Sequence, residues 1–434
     1  SAWISGRQQL DGQLYVEESG FASTFADISI NGMSDAVETT WRIDLGSMFQ
    51  SVSELLDFQK GMKKQHLSGI SRGQCRVDRS SEMGPAKIST SLSIEELKWL
   101  IGEQSVWEEQ LISIDLDTGW IETPADIVLK NADFKLGSGG DSFVVSLSEE
   151  YRFSRDLSKT PWVNMIAQAK KEPVAFDCQM SGNLMTWRQR ILGFGVTGGF
   201  EVPSSQTEIA GRFESSWNLR YVGEQFQITK ASTQIENLVF QAGRQRIQES
   251  KVILAAVGSV DPGRGIIRLS SAEMLSSTVS LRTGGLQIVS RSSKDQPLIN
   301  TLFDSVQGQI QWQVDLTRLN KWLAQDLTLD AAGRLWGTAD LLETPTGLNL
   351  LMTITGSQLA VSHSNVRNGQ AEGLQAHLVW KEPQVNGLLD ITRPIANEVL
   401  TNQIKINQFK IESSTVGVVA TGSIDDVTGR QHVE

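Results

Sequence analysis

Four histidines, His66, His363, His377 and His432, are the side chains best suited to acid–base or metal chemistry near neutral pH. None stands at the HxxxH or HExxH spacing that sets two imidazoles on one helix face around a metal. No G-x-S-x-G elbow is present to expose a serine nucleophile. The carboxylate pairs Glu108-Glu109, Glu149-Glu150 and Asp425-Asp426 are sequence neighbours. Neighbouring side chains point apart on a strand or helix, so these pairs read as solvated faces. The run Gly137–Asp141 lacks the Lys-Ser/Thr that completes a phosphate cradle. It and Gly193–Gly198 read as hairpin or bulge glycines. The expectation is a protein with no catalytic residues, no metal site and no cofactor.

Composition narrows the classes further. The net charge is −11 and the pI about 5.1. The strongest basic cluster is only Lys63-Lys64 beside His66, so the footprint that nucleic acid requires is missing. Cys75 and Cys178 lie outside any CxxC or metal spacing. They read as two free, buried thiols, with a single disulfide as the alternative. Twelve tryptophans against three tyrosines are dispersed along the chain. Trp217, Trp312 and Trp380 share the phase of nearby aliphatic residues, which suits a core or groove wall better than a sugar platform.

The elements that would carry such walls are strands. Alternation of period two marks a strand with one dry face. It runs through Phe226 and Ile228, Val252 and Leu254, Leu286 and Ile288, and Ile310, Trp312 and Val314. It continues through Leu348, Leu350, Met352 and Ile354, and through Ile404 and Ile406, with a phase slip at Asn407-Gln408 that implies a bulge or turn. Short Gly/Asn/Asp/Ser stretches separate these runs as turns, giving on the order of 25 strands. A chain of 434 residues exceeds one ordinary core, so it holds several domains or grows by repetition.

Helices are few in this reading. Ser93 opens a capping-box pattern with Glu96 and predicts a helix to about Leu111. Residues 45–62 have near-helical apolar spacing, and 158–171 and 295–305 are weaker candidates. Trp41-Arg42-Ile43-Asp44-Leu45 is echoed by Trp312-Gln313-Val314-Asp315-Leu316. Each predicts a strand that ends in an aspartate N-cap, Asp44 or Asp315, and passes into a short helix. The fold expected is therefore mainly β: an elongated, repeating antiparallel sheet, an open groove or rod, with a few short helical insertions. Residues 1–115 form its mixed α/β start. Residues 116–200 are β-rich with the 158–171 insertion, and 201–434 are the β-repeat groove.

No apolar run reaches the ~18–20 residues of a spanning helix, and no signal peptide opens the chain. Ile4, Leu10, Leu14 and Val16 already read as strands, so a targeting segment is expected outside this sequence.

The Trp-x-Ile/Val-Asp-Leu entry into a helix resembles the AsmA-like superfamily of bacterial envelope proteins. So do the Leu-x-Gly strand openings at Leu10–Gly12 and Leu67–Gly69 and the stretch Leu327–Leu341. The pattern from Phe409 to Asp425, with Val416, Val418, Gly422 and Ile424, resembles the C-terminal regions of that group. The likeness covers residues 1–80 and 200–434, while 85–175 depart from it. It implies a repeating β-groove in the periplasm that conducts phospholipid between inner and outer membranes. It also implies a membrane anchor outside this chain and contact with both membranes through such outside segments. The residues themselves support a rod with an apolar groove; that the groove holds phospholipid or another acyl-chain lipid is what the resemblance implies. The groove lining would be Phe226, Ile228, Val252, Leu254, Leu286, Ile288, Ile310, Trp312, Val314, Leu348, Leu350, Met352, Ile354, Ile404 and Ile406. The competing expectation is a structural or adhesive β-repeat protein whose apolar faces pair in a dry core.

Overall fold

The computed structural model describes residues 2–10, 13–33, 36–55, 65–79, 86–101, 104–120, 126–138, 140–154, 173–197, 207–242, 245–289, 305–323, 329–344, 347–363, 378–396, 399–400 and 404–424. These residues form an antiparallel, mainly β structure with three helices. β1 (Ala2–Leu10), β2 (Gln13–Ala22), β3 (Ala26–Met33) and β4 (Ala36–Asp44) lead into α1 (Leu45–Leu55). β5 (Gln65–Arg79), β6 (Ala86–Ile101), β7 (Gln104–Trp120), β8 (Asp126–Ser138), β9 (Asp141–Leu147), β10 (Tyr151–Ser154) and β11 (Val174–Asn183) lead into α2 (Leu184–Thr197). β12 (Thr207–Val222), β13 (Gln225–Ala242), β14 (Gln245–Asp261), β15 (Ile266–Ser276), β16 (Val279–Thr283), β17 (Leu286–Val289) and β18 (Ser305–Asp315) lead into α3 (Leu316–Leu323). β19 (Leu329–Thr344), β20 (Gly347–His363), β21 (Leu378–Ala396), β22 (Val399–Leu400), β23 (Ile404–Ser413) and β24 (Gly417–Ile424) follow.

The order repeats. After each helix come three long strands, then a shorter strand. In the first two cases a strand broken in two follows, and then a strand that ends in the next helix cap. β9 and β10 both pair with β8, as β16 and β17 both pair with β15. The chain falls into two compact units, residues 1–204 with 213–223, and residues 205–212 with 224–434. In the first, neighbouring strands pair in sequence from β1 to β9, and β9 pairs with β11. In the second, pairing runs from β13 through β21 and on to β23 and β24.

Each helix starts on a side-chain cap. The Ser47 amide donates to Asp44 Oδ1 at 2.8 Å, and the Arg318 amide to Asp315 Oδ1 at 3.1 Å. A third copy lies between them, where the Met185 amide donates to Asn183 Oδ1 at 2.8 Å. Asp44→Ala and Asp315→Ala are each expected to cost about 0.5–2 kcal/mol, the range for a lost N-cap. The shift of the denaturation midpoint measures it, and an unchanged midpoint would count against the caps. The Ser47 amide also holds the Asp44 carboxyl below its ordinary value. A carboxyl depressed by folding stabilises fully above its unfolded pKa and loses that contribution as pH falls through the folded one. The Asp44 contribution is therefore expected to vanish only in the acid limb, below about pH 3.9.

Three expectations change. Ser93 is not a helix cap: it lies inside β6, paired with Arg72 on one side and Ser113 on the other. The stretch to Leu111 is the rest of β6 and most of β7. The start of the chain is thus nearly all strand, with α1 its one helix among the described residues up to 115. The Gly193–Gly198 run is not a hairpin, since Gly193 and Gly195 belong to α2. The candidates at 158–171 and 295–304 fall outside the described residues, and Ser305 opens β18. The phase slip at Asn407-Gln408 is a register shift between Ile406 and Phe409.

Candidate functional site

Residues paired across antiparallel strands point to the same face, so the register assigns faces. In the second unit, Leu254 stands opposite Met274, Met274 opposite Leu281, Leu281 opposite Trp312, and Trp312 opposite Gly337. One step along, Ile310 stands opposite Ala339, then Met352, Leu389, Phe409 and Ala420 follow on successive strands. Leu350 lies between Leu341 and Ile391, and Ile391 meets Ile406. Phe226 pairs with Val260, Val260 with Ile267, and Ile267 with Ile288. Ile228 reaches Leu286 in the same way, through Gly258 and Leu269. Val252, Val314, Leu348, Ile354 and Ile404 alternate onto this face from the same strands. All fifteen residues that alternation singled out thus share one face of the second unit.

The reverse face is polar. Gln309 donates to Asp340 at 2.7 Å, Thr338 and Thr353 hydroxyls meet at 3.0 Å, and Arg282 pairs with Glu273 at 2.5 Å. Trp336, Leu342, Leu351, Val257 and Val419 are exposed exceptions on this side. The first unit has the same polarity. Ile94, Ile112, Leu136, Phe143 and Met180 follow one another across five strands, and Leu92, Ile114, Phe134, Val145 and Cys178 run beside them. Arg72 and Glu95, bonded at 2.7 Å, lie on the opposite side.

Burial describes what covers the apolar face. Phe226 is 38% exposed and Leu254 36%. Ile310, Trp312, Val314, Leu350, Met352 and Ile354 are half-buried, and Val252 is buried. A face closed in a dry sandwich would bury such residues throughout. Two tryptophans lie across glycines of the next strand. Trp41 covers Gly73, and the Trp312 ring is 3.1 Å from where a Gly337 side chain would start. Glycine opposite the indole is what lets these rings lie flat on the sheet.

A second repeated constellation was not legible in the sequence. Gly69, Gly211 and Gly333 adopt φ of 138°, 136° and 112°. Close to each, on the adjacent strand, is a non-glycine residue in the left-handed region: Glu96 (51°), Asn237 (51°) or Gln358 (52°). A leucine follows each, and it pairs with a glutamate on the next strand: Leu97 with Glu109, Leu238 with Glu249, Leu359 with Glu382. All three glutamates are buried, at 3%, 2% and 1% exposure. The reading of Glu108-Glu109 as a solvated face therefore holds for Glu108 alone.

Buried carboxylates need partners, and each repeat supplies different ones. Arg190 of α2 forks onto Glu109 at 2.6 and 2.9 Å, and the Trp107 indole donates to it at 3.1 Å. Glu249 accepts the Ser277 amide at 3.1 Å and hydroxyl at 2.6 Å. Glu382 accepts the hydroxyls of Ser414, at 2.6 Å, and Thr415. The Ser414 hydroxyl holds the Glu382 carboxyl below its usual range. Ser277 and Ser414 are equivalent members of one tetrapeptide, Ser-Ser-Thr-Val, at 276–279 and 413–416. In both turns the first serine hydroxyl accepts the amide of the closing valine at 3.0 Å.

None of this assembles a reactive centre. His66 lies in β5 and His363 ends β20, while His377 and His432 lie outside the described residues. No group of three metal-binding side chains occurs among the described residues. Cys75 and Cys178 are free thiols; Cys75 is half-buried, and burial raises the Cys178 thiol above its ordinary value. No helix among the described residues is long and apolar enough to cross a membrane. Comparison with protein-family models, with curated proteins and with solved structures found no match.

Proposed function

We propose that the chain binds acyl-chain lipid, phospholipid foremost, on the apolar faces of its sheets and passes it along them without covalent chemistry. The observation that carries this reading is the single half-exposed apolar face shared by Phe226, Leu254, Ile288, Trp312, Leu350 and Ile406. Apolar area of this extent in water is stabilised by an apolar ligand, and acyl chains fit because aliphatic side chains dominate the face. The polar reverse face stays wet. The resemblance to the AsmA-like superfamily supports the finer points: a periplasmic location, traffic between the two membranes, and an anchor in sequence outside this chain.

Purified protein is to be extracted with organic solvent and the extract examined by mass spectrometry. The expected result is co-purifying acyl lipid in at least stoichiometric amount. Folded protein that yields none, and that takes up none from vesicles, would retire the proposal.

A further inference from the structure

The apolar face of β14 does not run unbroken to the end of the strand. Val252, Leu254 and Ala256 continue, in the same alternation, into Ser250, Gln248 and Arg246. These three polar residues form one wall of a cavity of about 690 Å³. Arg318, Lys321 and Trp322 of α3 line it from across, with Ser277, Thr278 and Thr317 closing the remainder. Arg246, Arg318 and Lys321 bring three positive charges to a chain whose net charge is −11. Asp315 is the one carboxylate of the lining; its Oδ1 accepts the Arg318 amide at 3.1 Å and its Oδ2 lies 4.0 Å from the Arg318 Nε, so Arg318 faces the cavity as half of a loose ion pair beside Arg246 and Lys321. Glu249 is not part of the lining: the Ser277 hydroxyl, which is, donates to it at 2.6 Å.

The preceding repeat shows that this is a local specialisation. There α2 meets β7 as α3 meets β14, but Arg190 spans the gap onto Glu109. Seven residues after the cap, where α2 has Arg190, α3 has Trp322. β7 offers Glu108 and Gln110 where β14 offers Gln248 and Ser250. One repeat spends its arginine on its own carboxylate; the next leaves its cations facing a cavity.

We infer that the α3–β14 cavity is a binding site for a phosphate ester, and that a lipid phosphate held there starts its acyl chain on Val252 and Leu254. The inference rests on the lipid reading above for the chain, but not for the phosphate. Guanidinium and ammonium donors match phosphate oxygens in charge and geometry, the hydroxyls supply further donors, and the strand itself turns apolar within two residues.

Calorimetry with three probes separates the parts: a monoacyl glycerophosphate, the uncharged monoacylglycerol of the same chain, and inorganic phosphate. The phosphate amphiphile is expected to bind about tenfold or more tighter than its uncharged partner, as charge-assisted hydrogen bonds imply. Arg246→Gln/Arg318→Gln/Lys321→Gln is expected to abolish that difference and keep the uncharged binding. All three side chains are exposed, so the fold, followed by circular dichroism, is expected to persist. Equal affinities in the unaltered protein, or a preference that survives the triple substitution, would overturn the phosphate site and leave the apolar face standing. Should neither amphiphile bind, the lipid reading fails instead. Saturable inorganic phosphate binding that the triple substitution removes would then assign the site to free phosphate, and its absence would sink the site as well.

Discussion

Arg190→Ala is expected to destabilise the first unit by about 3–5 kcal/mol, the range for stranding one member of a buried ion pair. Arg190 is 11% exposed and Glu109 fully buried, so the carboxylate cannot recover its solvation by a small movement. The guanidinium also packs 4.5 Å over the Trp187 ring, which itself meets Phe143 and Phe213 edge-on. Removing it therefore loosens the seat of α2 as well. The paired replacement Glu109→Leu/Arg190→Leu is expected to recover most of the loss, because two apolar groups leave no orphaned charge. Chemical denaturation of these two variants beside the unaltered protein checks the claim. A loss in Arg190→Ala below about 1 kcal/mol, the scale of an exposed pair, would mean that water reaches Glu109.

Leu350→Arg separates an apolar face that holds ligand from one that closes on itself. Leu350 is half-buried between Leu341 and Ile391. In an open face the arginine stem lies along the sheet and the guanidinium reaches water, so the melting transition is expected to stay within a few degrees. The charge still opposes an acyl chain by about 2–4 kcal/mol at a lipid-facing position, and bound lipid is expected to fall by roughly tenfold or more. Melting and co-purifying lipid are to be measured on the same preparation. Collapse of the fold, together with an unaltered protein free of lipid, would assign the face to a dry core.

Much of this architecture is written in period two. Alternation located the face of the second unit because each strand there keeps its phase across the residues named, and register follows from phase. The misreading at Ser93 has a physical cause. Glu96, in the left-handed region beside Gly69, adds a bulge to β6, so the apolar residues Ile94 and Leu97 fall three apart and imitate a helix. The middle copy of the helix entry escaped because Met180, Gly182 and Asn183 stand where Trp41, Ile43 and Asp44 stand in the first. The cap survives because asparagine presents the same acceptor oxygen as aspartate. The buried glutamates left no local mark. Glu109 sits beside Glu108, and nothing short of the strand pairing shows that one faces protein and the other water. The cationic cavity likewise draws on three separate segments, those of Arg246, Ser277 and Arg318.

The recurrence of glycine, left-handed residue, leucine and glutamate makes the chain a sequence of copies, and copies have their own genetics. Loss or gain of a single residue in β6, β13 or β20 throws every later side chain of that strand to the wrong face. Loss or gain of a whole copy, cut from one helix cap to the next, leaves each surviving register intact. Change in length is thus expected to be tolerated only in whole steps. Strand-by-strand pairing within each unit also predisposes such a molecule to melt in instalments rather than all at once.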